Sequence, residues 1–121
     1  MLTNSSSNIV FVPYQFTITA AGCTNAQTVT VGVVPALILS STLTPAPVCS
    51  GTVFAYTATS DVPGVTYTWK RNAISTINSN AAGSGSGATI QETLTSTASI
   101  PVAVVYDVSL YAFGMSNTQQ V

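Results

Sequence analysis

Three carboxylates (Asp61, Glu92, Asp107), two cations (Lys70, Arg71) and two thiols (Cys23, Cys49) are the side chains of this chain best equipped for chemistry. There is no histidine, so the usual nucleophile–base arrangements lack their base. A glycoside-cleaving pair needs two carboxylates converging on one cleft, whereas these three are expected on a loop and two separate strands. Calcium asks for several carboxylate oxygens close together, which that dispersal denies. Without histidine or a Cys-x-x-Cys pair, no metal site is expected. Gly83-Ser84-Gly85-Ser86-Gly87-Ala88 fits the glycine spacing of a dinucleotide loop. It lacks the flanking strand and helix that give that spacing its mechanism, and reads as a flexible loop. Lys70-Arg71 reads as a solvated strand end. No catalytic, cofactor-binding or metal-binding residue is assigned, and the chain is not expected to be an enzyme.

The composition narrows the field further. Apolar residues make up 46% of the 121 residues, enough for a core, while charged residues make up only 4%. The polar surface must therefore be built from Thr, Ser, Asn and Gln, which gives neighbouring molecules little electrostatic reason to stay apart. Two basic residues and a net charge of −1 cannot neutralise a phosphate backbone, so nucleic acid is excluded as a partner. No apolar run is long enough for a membrane span, and no membrane insertion is expected. The opening residues lack the basic and apolar regions of a signal peptide.

The elements that must position these groups read as strands. Period-two alternation and β-branched residues predict strands over residues 9–20, 28–33, 36–43, 52–59, 65–71, 88–96, 102–113 and 117–121. Turn signals separate them at Pro45-Ala46-Pro47, Asp61-Val62-Pro63-Gly64, residues 78–87 and Gly114. Short strands at this spacing predict an all-β antiparallel sandwich. Its expected core is Phe54, Tyr56, Tyr67, Trp69, Tyr106, Val108 and Leu110, with Trp69 at the centre. Tyr106 is expected either to turn its hydroxyl onto a backbone group, as a tyrosine corner does, or to be a half-buried sheet residue. Exposed Tyr56, Tyr67 or Tyr111 could meet a carbohydrate, although strand tyrosines are more commonly half-buried.

The start of the chain is written again at its end. Laid at an offset of 92, residues 2–29 fall on residues 94–121 with 11 of 28 positions identical, among them Val10/Val102, Val12/Val104, Tyr14/Tyr106, Gly22/Gly114 and Val29/Val121. The chain therefore reads as the last strands of one repeat, residues 1–33, followed by a near-complete repeat, residues 34–121. Met1 reads as an artificial start within a longer protein, any export signal lying outside it. Linear arrays of small β domains commonly serve as spacers and stalks. The strand bearing Val10, Val12, Tyr14, Phe16 and Ile18 cannot bury its apolar face within a lone hairpin, so these residues are expected to contact another unit.

Cys49-Ser50-Gly51-Thr52-Val53-Phe54-Ala55-Tyr56 is followed by Val65-Thr66-Tyr67-Thr68-Trp69-Lys70-Arg71, by Glu92-Thr93-Leu94-Thr95, and by Tyr106-Asp107-Val108-Ser109-Leu110 leading to Gly114. In this order the motifs resemble the PKD-like repeats of very large Bacteroidota surface proteins, including adhesins linked to gliding motility. The Gly-Asp-Gly turn of better-known PKD domains is absent after Trp69, which marks a divergent relative. The resemblance implies an immunoglobulin-like sandwich, a place on the bacterial cell surface, and a role in stalks or adhesion.

In an immunoglobulin-like order, Cys49 falls between the first two strands and Cys23 between the last two of the preceding repeat, at opposite ends of a sandwich. They are disulfide candidates, either with each other or with other repeats in a head-to-tail stack; the alternative is two thiols packed as small hydrophobes. The expected function is a non-catalytic structural repeat of a surface adhesin or filament, built by end-to-end stacking or strand complementation. Its expected partners are neighbouring repeats or identical subunits. A carbohydrate- or protein-binding module, with surface glycans as ligand, is the alternative. No cofactor is expected.

Overall fold

The computed structural model describes residues 1–121, the side chain of Ser79 excepted. It forms two compact units, Met1–Ala36 and Leu37–Val121.

In the first unit, β1 (Val10–Ala20) and β2 (Cys23–Val33) form an antiparallel hairpin in register from Val10↔Val33 to Ala20↔Cys23. Ala21 and Gly22 make the turn with φ of 50° and 78°. Two successive positive φ values match the right-handed twist of a tight hairpin. The second strand starts at Cys23 rather than at the expected residue 28, because a two-residue turn leaves no loop to fill. At the open end, the Asn4 side chain donates to the carbonyls of Asn8 and Val33, each at 2.7 Å. Two strands make one layer, and Phe16, Ile18 and Val29 stand exposed on it.

The second unit contains β3 (Thr52–Thr57), β4 (Thr66–Arg71), a 3-10 turn (Asn78–Asn80), β5 (Gly83–Ser86), β6 (Thr89–Leu94), β7 (Tyr106–Ala112) and β8 (Met115–Gln120). One sheet is β3–β6 and the other runs β5-β4-β7-β8, with every neighbouring pair antiparallel. Alternation supplies the layers: Phe54, Tyr56, Ile90 and Leu94 come inward from the small sheet, and Tyr106, Val108 and Leu110 from the large one. No α-helix occurs among the described residues. The fold is an all-β, immunoglobulin-like antiparallel sandwich.

Three departures from the sequence reading concern the strands. Residues 36–43 form no strand, although Leu37 and Leu39 are buried alternately. The Asn117 side chain donates to the Leu37 carbonyl at 2.7 Å, and the Leu39 N–H donates to the Gln119 side chain at 2.5 Å. Side-chain amides of β8 thus stand where ladder partners would be, so the burial period survives without the ladder. The glycine-rich stretch is no flexible loop: β5 pairs with β4 from Thr68↔Ser86 to Arg71↔Gly83. Strand β7 starts only at Tyr106, leaving residues 102–105 outside any strand.

The centre of the core is Tyr106 with Ile90, Val108 and Leu110 rather than Trp69, and Tyr67 and Trp69 are only partly buried. Tyr106 stacks on Phe54 at 5.2 Å between centroids and meets Trp69 edge-on at 5.8 Å. The indole packs against the edge strand β5. A Cβ on Gly85 would come within 2.7 Å of that ring, so the glycine permits the approach.

Candidate functional site

The registers define the two ends of the sandwich. The start of β3, the end of β4, the end of β6 and the start of β7 gather at one end, through Thr52↔Leu94 and Arg71↔Tyr106. The β7–β8 turn, Phe113-Gly114, lies at the other. Its φ values of 53° and 72° repeat those of Ala21-Gly22. The unusual features of the second unit collect at the Tyr106 end.

The first is a polar cluster between the sheets. Arg71 closes β4 on its inward face, and only 2% of the residue is exposed. Its guanidinium grips Glu92 of β6 with two bonds, Nε to Oε2 at 3.0 Å and Nη2 to Oε1 at 2.5 Å. Nη1 donates to the carbonyls of Ala81 and Asn72 at 2.9 and 3.1 Å. The Tyr106 hydroxyl donates to Glu92 Oε2 at 2.7 Å, and the Asn78 side chain joins β6 through the Thr93 carbonyl at 3.1 Å. Every buried side-chain nitrogen and oxygen among the described residues has a partner. A bidentate, fully bonded pair is the form in which a buried charge is tolerable.

Arg71 is therefore not a solvated strand end. It shares its strand face with Tyr67 and Trp69, and burial follows from that face. Tyr106 is no tyrosine corner, since its hydroxyl reaches a carboxylate instead of the backbone. The Arg71 bonds hold the Glu92 carboxyl below its ordinary value, Glu92 raises Arg71 in turn, and burial followed by the Glu92 bond raises the Tyr106 phenol. A carboxylate locked in its ionised form between two donors is a poor proton carrier. The cluster ties β4 and β7 to β6; it is built for position.

The second feature is an apolar groove of about 590 Å³. One wall is residues 43–48, the other residues 98–104, and Phe54, Leu94 and Tyr106 lie between them. Neither wall belongs to a strand. None of the five charged residues lines it. Leu43, Val48 and Ile100 are exposed on its sides. Tyr106 connects the two features, with its ring at the groove and its hydroxyl on Glu92.

The other candidates lie as follows. On β1, Val10, Tyr14, Phe16 and Ile18 are exposed and Val12 is half-buried. Across the hairpin, the register sets Val33, Val31 and Val29 opposite Val10, Val12 and Tyr14, giving one apolar face with nothing over it in this unit. Cys23 follows the hairpin turn and Cys49 lies ahead of β3; both are exposed free thiols in different units. Lys70 reaches Asp107 at 3.8 Å on the surface. Tyr56 is buried, with its hydroxyl on the Thr42 carbonyl at 3.0 Å, while Tyr111 is exposed. Among the described residues no three His, Cys, Asp or Glu side chains gather as a metal would need.

The groove and the buried cluster were not anticipated from sequence. Signals for both existed: an arginine in phase with Tyr67 and Trp69, and a repeat in which residues 102–105 copy residues 10–13, whose strand partners are residues 30–33.

No curated protein and no solved structure matches the chain. The family model of the PKD-like domain matches residues 46–117, from the first groove wall through β3, the buried cluster and β7 into β8. That stretch is more than half of the sequence and holds most of the sandwich. Such domains are immunoglobulin-like modules, typically non-catalytic and commonly extracellular, and the chain belongs to the PKD-like domain family.

Proposed function

We propose that this protein is a non-catalytic structural repeat of a bacterial surface stalk, adhesin or filament, working through contacts between β-sandwich units. One observation carries the proposal. The hairpin of the first unit and the β7–β8 hairpin share one register at a spacing of 92 residues, Tyr14↔Val29 against Tyr106↔Val121, yet only the second hairpin has a facing sheet within its own unit. An apolar hairpin face without a facing layer is an interaction surface by its chemistry. The near-absence of charge removes the repulsion that would keep such units apart. Partners of this kind are neighbouring repeats or identical subunits, as in the gliding-motility adhesins whose repeats the sequence resembles. In an oxidising exterior, Cys23 and Cys49 of neighbouring units would join as a disulfide through exchange with an external disulfide, which takes up the two electrons and leaves as two thiols.

Electron microscopy of the purified chain at rising concentration tests this. Particles adding end to end with an axial repeat of one sandwich are the expected result, and dispersed single particles at every concentration would overturn it. The second reading, a glycan- or protein-binding module, has one observation in its favour: Tyr111, Phe113 and Met115 are exposed about the β7–β8 turn. Glycan-array binding lost in Tyr111→Ala would support it.

A further inference from the structure

We propose that the groove at the Tyr106 end of the sandwich is a socket for one β-strand, and that a second copy of this chain fills it with residues 30–33. The inference rests on the assembly proposed above and specifies one contact within it.

In the hairpin, Val10, Phe11, Val12 and Pro13 pair with Val33, Gly32, Val31 and Thr30. The offset of 92 turns the first four into Val102, Ala103, Val104 and Val105. Among the described residues, no strand pairs with these and no backbone hydrogen bond engages them. The register just inside them is already the hairpin's own: Tyr106 and Val121 exchange backbone bonds at 2.9 and 3.0 Å, in the place of Tyr14 and Val29. Mutually bonded pairs recur at every second residue of an antiparallel ladder. Continued at that period, the N–H and C=O of Val102 and Val104 would face the line that β8 would follow beyond Val121. Val102, Val104 and Val121 all line the groove.

The occupant follows from the same repeat. Residues 30–33 already pair with the sequence equivalent of this wall, so Val31 would meet Val104 as it meets Val12. Their present place holds them weakly: the hairpin is a single layer, Val31 is 40% exposed, and an isolated hairpin is marginal in water. Only the four outer pairs need open, while those from Tyr14↔Val29 to the turn remain. In the groove, Val31 and Val33 exchange water for apolar walls. Neither the groove lining nor Met1–Ala36 carries a charged side chain, so no ion must be desolvated. Donor and socket belong to different units of one chain. The contact is therefore heterologous, and its repetition gives an open filament wherever the rotation between successive copies does not close.

The test uses the full chain and two charge substitutions, Val31→Asp on the donor and Val102→Asp on the socket, with Trp69 fluorescence and Tm confirming that each sandwich is folded. Val31 is partly exposed in the single chain, so its substitution leaves the monomer folded but would put an unpaired charge into the socket. Sedimentation gives assembly, and amide hydrogen exchange reads Val102 and Val104. Concentration-dependent assembly is expected, with those two amides slowed at least about tenfold. Both effects should be lost in Val31→Asp and in Val102→Asp, while a synthetic peptide of residues 28–35 should undo the assembly and keep the two amides slowed. Assembly that persists in both variants with the two amides unprotected overturns the socket and leaves the filament standing. A chain that stays monomeric while the peptide still protects those amides overturns the second copy as donor. A chain that neither assembles nor binds the peptide removes both proposals.

Discussion

Tyr14 and Tyr106 occupy the same position in two hairpins of one register, yet Tyr14 is 40% exposed and Tyr106 only 2%. The difference comes from what faces each hairpin. Tyr106 lies against Phe54 and Trp69 and bonds Glu92, whereas no second sheet exists in the unit that holds Tyr14. Local sequence makes the hairpin; a facing layer makes the core.

Hydrogen exchange should separate the two hairpins. In dilute solution, the amides of β1 and β2 are expected to exchange within about 1–2 kcal/mol of the unprotected rate, and those of β7 to follow global unfolding of the sandwich. Equal protection in both would show that the first hairpin is covered in solution.

Breaking the buried pair from one side strands a charge. Glu92→Leu or Arg71→Met alone is expected to cost about 3–5 kcal/mol in urea unfolding. The double substitution should recover most of that loss, because both charges then leave together. Additive losses would show that the pair contributes no coupling.

The cluster also sets a pH window. Glu92 titrates below its ordinary 4.5 in the folded chain, so its stabilisation is complete above that pH and lost as pH falls through the lowered value. Tyr106 is raised from 10.0, so its contribution is complete below pH 10 and lost as pH climbs from there through the raised value. Unfolding free energy should be flat between these limits and fall at both ends. In Tyr106→Phe the alkaline fall should shrink, as thermal melts in a pH series would record.

The edge strand β5 depends on its glycines. A methyl at Gly85 would overlap the indole of Trp69, and one at Gly83 would come within 2.9 Å of the Glu92 carboxylate. Gly85→Ala is expected to cost roughly 1–3 kcal/mol and to shift the emission of Trp69, the sole tryptophan. An unchanged spectrum and midpoint would mean that β5 does not hold the ring.

Much of the sandwich is visible in the sequence because burial alternates along Phe54-Ala55-Tyr56 and Tyr106-Asp107-Val108-Ser109-Leu110. Pattern fails where polar side chains replace backbone, as Asn117 and Gln119 do beside Leu37 and Leu39, and where glycine acts by lacking a side chain, as in β5. The ion pair escapes because strand-end charges are normally solvated; only its phase with Tyr67 and Trp69 marks Arg71 as inward. The groove escapes because it is defined by a missing partner, and a chain read alone shows which strands exist but not which are unpaired.

Residues 37–39 lie beside β8 and run parallel to it, held there by the side chains of Asn117 and Gln119, while Val121 sits at the far end of that strand. Tension applied between Leu37 and Val121 would therefore slide these two segments past each other, loading both amide bonds at once. Were such units joined end to end as proposed, load between their ends would pass through this side-chain clamp.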